Sequence, residues 1–346
     1  MKQQNVNCTG AIYTLGQPCT GAIYTLGQPC TGAIYTPGNN QTLTEFLLLG
    51  FGDLHGFCSW FFIMCLMVYA LTIFGNMIII IIVSTSHLVE SPMYFFLCFL
   101  SLSDIVLTTN IVPHLLHIVI KEQVTVSFIG CITQFQMFGS STGTECLLLT
   151  VMSYDRYLAI CNPLCYTSIM GAQVKHYLVI CSWILAFAIT LTISVLVGGL
   201  HFCGPNVIDH FFCDFGPLIK LSCSDTYLLK IIDFVVTIPV TIFPFVFIIL
   251  SYLSIFIAIH RIPSTYGRLK AFSTCSSHLT VVCTFYLSLI TIYIIPAAGH
   301  SVIAQKILSF LYTVVTPLLN PLIYSLRNQE IRLVLKKMVC KLWNQE

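Results

Sequence analysis

The sequence predicts an all-α membrane protein: seven transmembrane helices in a bundle, with a short amphipathic helix at the C-terminal end. Three observations predict it. Of the 346 residues, 57% are hydrophobic and 8% charged, against roughly 25% charged in a soluble domain. Seven windows hold none or one of Asp, Glu, Lys and Arg: residues 54–89, 91–120, 123–154, 176–208, 234–260, 271–305 and 307–326. Each can contain the roughly 20 helical residues that cross a hydrocarbon core. Positive charge is also asymmetric. With the N-terminus outside, ten of the 15 Lys and Arg fall on the inner side and five on the outer side, the bias that orients membrane helices. A barrel would need alternating apolar and polar strands, which these windows lack, so helices must satisfy the backbone in lipid.

The predicted divisions are an extracellular tail over 1–56, a seven-helix domain over 57–327 and a cytoplasmic tail over 328–346. The first ten residues have no apolar signal-peptide core, so the first helix is expected to direct insertion itself. An 11-residue unit, CTGAIYTLGQP, occupies 8–18 and 19–29 and returns truncated over 30–38. Three short copies bury no core, so this stretch reads as a disordered duplication. Asn7 and Asn40 begin Asn-x-Thr acceptors for glycosylation. The net charge of +2 points to no nucleic-acid partner, because the positive residues lie in short loops beside membrane lipid.

Helix one carries Asn76 among apolar residues. Helix two carries Asp104 and helix three Glu145. Ionisable groups at membrane depth are costly and point to function. One reading is an interhelical hydrogen-bond network. The sharper one is a cation or proton site of Asp104 and Glu145, helped by Asn76 and Asn320, because hard cations such as sodium prefer oxygen ligands. Residues 139–143, GSSTG, formally match a serine-hydrolase elbow at Ser141. That motif needs a strained strand-to-helix turn; inside a helix it reads as small residues admitting a neighbouring helix or a ligand. No enzyme is expected.

The loop after helix four places Cys203, Cys213 and Cys223 ten residues apart, with Cys131 near the outer end of helix three. Two disulfides are expected there, and spacing alone allows three pairings. Pro239 and Pro244 can bend helix five. Tyr286, Leu289 and Tyr293 share one face of helix six. In helix seven Pro317 and Pro321 flank Asn320. After residue 328, apolar Ile331, Leu333, Val334, Leu335 and Met338 alternate with Arg332, Lys336, Lys337 and Lys341, which suits a helix lying on the membrane surface. Cys340 there is a candidate for palmitoylation.

With these segments in order, SPMYFFL with LSLSD, MSYDRYLAIC, SYLSIFI, KAFSTCSSHLTV and NPLIYSLRN, the chain from about residue 40 onward resembles the class II olfactory receptors, rhodopsin-like G-protein-coupled receptors. The resemblance implies a plasma-membrane receptor for small odorants, coupled to the olfactory stimulatory G protein and raising cyclic AMP. It implies that Asp155 holds Arg156 at rest while Tyr252 and Tyr324 rearrange beside it on activation. Lys270 and Ser273 would line the opening for the G protein, with Asn320, Pro321 and Tyr324 in the moving part of helix seven. It further implies the pairs Cys131 with Cys213 and Cys203 with Cys223, and matches Asp104 and Glu145 to a sodium site. Departures include MSYDRY for MAYDRY and Leu287 where Gly is usual; the added bulk of Leu287 is expected to narrow the ligand face.

The outer halves of helices three, five, six and seven read as free of charge apart from loop-edge Asp233 and Lys306. A charged ligand there would be unpaired. The expected ligand is therefore neutral and mainly apolar, touching Phe138, Gly139, Thr142, Tyr286, Leu289 and Tyr293. The competing class is a transporter or ion channel with Asp104 and Glu145 in the ion path. It would favour paired repeats with broken helices, and no such internal match is found.

Overall fold

The computed structural model describes residues 44–52, 55–203, 205–297 and 302–343. The repeat over 8–38, Asn7 and Asn40 lie outside the described residues. Helices follow one another as α1 (Cys58–Ser84), α2 (Pro92–Lys121), α3 (Phe128–Cys161), the short α4 (Pro163–Ile169), α5 (Ala172–Gly198), the short α6 (Phe215–Lys220), α7 (Tyr227–His260) and α8 (Thr265–Ala297). A seventh rod joins α9 (Val302–Phe310), a π-helical turn (Leu311–Val315) and α10 (Thr316–Arg327), before the terminal α11 (Gln329–Trp343). Among the described residues α1, α2, α5, α7 and the rod over Val302–Ser325 are long and apolar enough to cross a membrane by length and composition alone. The other two long rods, α3 and α8, are diluted by Ser, Thr and Gly.

Helices outrun the charge-free windows. α7 has 34 residues, about 51 Å at helical rise, against a hydrocarbon core of about 30 Å. Its ends therefore stand in the headgroups, where charge is tolerated, and it begins at Tyr227 rather than near 234. Lys230 and Asp233 are thus helical rather than loop residues. Likewise Asp155 and Arg156 do not close α3, which continues to Cys161.

At one end of the bundle a three-stranded sheet forms from segments far apart in sequence, in the order β2-β1-β3. β1 (Glu45–Leu48) pairs antiparallel with β2 (Val124–Ser127) and parallel with β3 (Val207–Ile208). Alternation explains β1: Phe46 and Leu48 face inward and are fully buried. Part of the expected N-terminal tail is thus a strand of this cap. Cys131–Cys213 and Cys203–Cys223 disulfides hold the long loop beneath the sheet, and Cys58 at the start of α1 is also disulfide-bonded.

Two apolar clusters fill the bundle. One, at the sheet end, gathers Phe46, Leu107, Phe135, Phe211 and Phe212; the other, at the Arg156 end, gathers Leu100, Met152, Tyr252 and Tyr324. On α2, Leu100 belongs to one cluster and Leu107 to the other. Asp104 lies between them, so the layer separating the clusters is polar.

The π turn has a local cause. Pro317 cannot donate a backbone hydrogen bond and its ring crowds the preceding turn, so the ladder widens just before it. Thr316 Oγ1 donates to the Leu311 carbonyl across that turn at 3.2 Å.

Candidate functional site

A cavity of about 300 Å³ opens among α3, α5, α7, α8 and the loop below the sheet. Its wall is largely apolar: Phe135, Phe138, Ile189, Ile193, Val240 and Leu289, with Gly139 and Thr142 from α3. The helices meet closely because Gly139 lacks a side chain; a Cβ there would stand 2.5 Å from Thr190 Cγ2 of α5. The GSSTG run therefore brings α3 against α5 and leaves Ser141 buried in a helix.

Of the expected ligand contacts, Phe138, Gly139, Thr142 and Leu289 line the cavity. Tyr286 does not. It is buried one layer away, its ring 4.8 Å from Phe245 and 5.2 Å from Phe285. Tyr312 of the π turn stands behind the wall, donating to Thr142 Oγ1 at 2.9 Å and meeting Phe138 edge-on. Leu287 points away from the cavity and is 64% exposed, so it does not narrow the ligand face. The side chain of Tyr293 lies outside the described residues. Helix α5 was not expected in the wall, although its small and β-branched residues Ala186, Thr190 and Ile193 at helical spacing were visible.

The charge expectation is corrected as well, because Asp214 and Asp233 both line the cavity. Asp233 is there because α7 starts early and turns this residue inward, with Thr237 donating to its Oδ1 at 3.3 Å. Asp214 is carried in by the loop. Its neighbour Cys213 is bonded to Cys131 of α3, and the Cys213 N–H donates to Gln134 Oε1 at 2.9 Å. Gln134 in turn exchanges hydrogen bonds with Asn110 of α2 at 2.9 and 3.1 Å. Burial pushes the Asp214 carboxyl up to about 6; the Phe215 N–H opposes this and the Asp233 charge adds to it.

Above the cavity, Lys306 of α9 is buried and bonds Asp209 at 2.5 Å. Beside this pair His210 is 1% exposed with neither ring nitrogen hydrogen-bonded. Burial, then the Lys306 charge, pulls its pKa down to about 3.

The polar layer lies at mid-bundle. Asn320 Nδ2 donates to both carboxylate oxygens of Asp104, at 3.1 and 3.0 Å. Asn76 Nδ2 donates to the carbonyls of Thr72 at 3.0 Å and Pro317 at 3.2 Å. Asn76 thus braces the helix break, while Asn320 alone binds Asp104. Four buried oxygens here have no hydrogen-bond partner: Asn76 Oδ1, Ser141 Oγ, Glu145 Oε1 and Asn320 Oδ1. Such atoms call for an occupant. A hard cation fits this donor set, oxygen-rich with two carboxyls.

At the far end Arg156 is paired with Asp155 through Nη2 and Nε, the latter at 2.9 Å. Tyr166 of α4 donates to the other oxygen of Asp155 at 2.8 Å. Tyr252 of α7 is 2.6 Å from His278 Nδ1 of α8. The Tyr324 hydroxyl is buried without a hydrogen-bond partner. Tyr166 and His278 complete these contacts; the sequence reading set His278 only within the KAFSTCSSH run and gave Tyr166 no role. Lys270 and Ser273 lie on α8, their side chains outside the described residues. Pro321 sits within α10.

Residues 64–342 match the family model described as olfactory receptor. Human olfactory receptor 11A1 is 46% identical over 301 residues, 87% of this chain and 95% of that protein. Mouse olfactory receptor 5P60 is 44% identical over 302 residues, 87% and 94% of the two chains. Human olfactory receptor 10A3 is 42% identical over 308 residues, 89% and 97%. With a seven-rod helical bundle, a cavity and a capped loop in view, the chain belongs to the olfactory receptor family, multi-pass plasma-membrane receptors that are not enzymes.

Proposed function

We propose that this receptor binds a small, mainly apolar odorant in the α3–α5–α7–α8 cavity and activates a heterotrimeric G protein of the olfactory stimulatory type, raising cyclic AMP. The observation that carries the reading is that α8 has a part at both ends. It gives Leu289 to the cavity wall and, three turns along, His278 to the Tyr252 contact. A ligand against Leu289 biases α8, and through it the packing around Arg156. Ligand binding shifts the equilibrium only as far as it prefers the displaced arrangement. In that arrangement Arg156 leaves Asp155, Tyr252 and Tyr324 move into the space, and Lys270 and Ser273 border the opening that the G protein enters. Asn320 and Pro321 let α10 bend. The sheet end is extracellular and α11 cytoplasmic in this reading, supported by the excess of Lys and Arg near the Arg156 end. Glycosylation of Asn40 and Asn7 belongs to the same outer side.

No cofactor is required. We propose that a sodium ion binds at Asp104 and Glu145, in reach of Asn76, Asn320 and Ser141, where it would offset buried negative charge.

The neutral-ligand expectation rested on a wall without acids, which Asp214 and Asp233 contradict. The apolar body of the ligand rests on the wall itself.

The test of coupling is cyclic AMP, normalised to surface level, in cells expressing the parent and Arg156→Ala against a panel of small odorants. A response present in the parent and lost in the variant is expected. An equal response in both would remove Arg156 from the mechanism. A well-displayed parent silent to the whole panel would count against stimulatory coupling.

A further inference from the structure

We infer that the odorant this receptor takes carries a protonated amine at one end of an apolar body, held between Asp214 and Asp233. The inference rests on the cavity being the odorant site. Two carboxylates reach the wall of a largely apolar cavity, whose other polar lining is the uncharged Thr142, Thr190, Thr237, Thr241 and Gln305, from independent elements, a disulfide-fixed loop and the first turns of α7. Neither is in an ion pair among the described residues. Lys306 is committed to Asp209, and Lys220 and Lys230, the latter one turn from Asp233 on α7, are exposed and form no ion pair with either acid. His210, in the layer above, is held neutral and brings no positive charge. Thr237 donates one hydrogen bond to Asp233 and the Phe215 backbone one to Asp214, so acceptor capacity is left over on both.

A neutral ligand filling this space would strip water from two acids and give nothing back for it, because buried charge is costly until paired. An ammonium group has three donors and no acceptor, which matches two carboxylates. Its arrival also reverses what keeps Asp214 partly protonated, since an opposite charge favours the ionised form. The size is bounded too. A cavity of about 300 Å³ stands at the low end of small-molecule sites, which excludes peptides and extended polyamines. Phe138 and Leu289 would meet the hydrocarbon part.

The experiment uses purified full-length receptor in lipid nanodiscs without G protein, so that coupling does not enter. Cyclohexylmethylamine and cyclohexylmethanol, which share a hydrocarbon body, are titrated at neutral pH and the melting midpoint is followed. The amine is expected to stabilise the parent at concentrations at least about tenfold lower than the alcohol, the ratio that one well-formed charged contact gives. Asp233→Asn and, separately, Asp214→Asn are expected to cut that preference to less than about threefold by loss of the amine response. An alcohol that stabilises as well as the amine overturns the inference. If Val240→Phe abolishes that alcohol response, the cavity survives as the odorant site and only the amine is lost. An amine preference retained in both Asn variants also overturns it, and no stabilisation by either compound overturns the amine and the cavity together.

Discussion

At the residue scale, the groups under the sheet set opposing pH dependences. His210 has its pKa lowered to about 3 by burial, so between there and the unfolded value near 6.5 the unfolded chain binds more protons. Its contribution to stability is whole above about pH 6.5 and falls as the pH drops, by about 1.4 kcal/mol per unit. Asp214 is raised to about 6, so the folded chain holds the extra proton between about pH 4 and 6, and stability rises as the pH falls. The two slopes nearly cancel between about pH 4 and 6. These two groups together should therefore leave the melting midpoint almost unchanged across that window. Asp214→Asn should expose the histidine slope and lose stability toward acid, and His210→Phe should gain it. Parallel curves for all three proteins would show that neither group is perturbed as the geometry implies. Of these two residues the sequence offered only partial sight. His210 and Asp214 were legible as loop residues near a cysteine, but burial follows from the disulfide and from the Gln134–Asn110 clamp, which are long-range contacts.

At the scale of elements, helices were easier to read than their ends. Charge-free windows located every rod because a lipid-facing surface excludes charge. They misplaced the starts of α7 and α9 because a rod longer than the hydrocarbon core carries charge at its ends, and Lys306 is satisfied by Asp209 rather than by water. The late start given to α7 concealed Asp233 from the ligand site. The cap was the other omission. β1 is four residues long, and its partners lie about 80 and 160 positions away, so no local signal beyond the alternation of Phe46 and Leu48 marked it. The strand should nevertheless matter to stability. Phe46 meets Phe202 edge-on at 5.4 Å and Phe128 at 6.0 Å, and it is fully buried. Phe46→Ala is expected to cost about 3 kcal/mol, seen as a lower melting midpoint and faster proteolysis of the loop over 199–226. Glu45→Ala, which faces solvent in the same strand, should leave both unchanged. A Phe46→Ala protein as stable as the parent would mean that the sheet end is held by its disulfides alone.

At the scale of the whole molecule, the polar layer draws on α1, α2, α3 and the seventh rod together. It divides the sheet-end cluster from the Arg156-end cluster, and its carboxyls were visible in the sequence as isolated acids in apolar windows. Their coordination was less visible: Asn320 binds Asp104 because the π turn before Pro317 re-phases α10, while Asn76 is drawn to the Pro317 carbonyl instead. Four unpartnered oxygens remain, and a sodium ion among them would tie four rods together in the arrangement that keeps Arg156 on Asp155. An ion that binds only the folded, resting arrangement stabilises it by mass action, about 1.4 kcal/mol when its concentration is tenfold its dissociation constant. Replacing choline chloride by sodium chloride at equal ionic strength should thus raise the melting midpoint of the unliganded parent by a few degrees, with potassium giving less. Asp104→Asn should abolish the difference between salts, since it removes a charge and leaves the Asn320 contact in place. Because the same ion would be released as the rods rearrange, sodium should also lower basal cyclic AMP in membranes of the parent and not of the variant. Equal midpoints in sodium and choline, in a parent that still answers to odorant, would leave Asp104 and Asn320 as a structural hydrogen bond and nothing more.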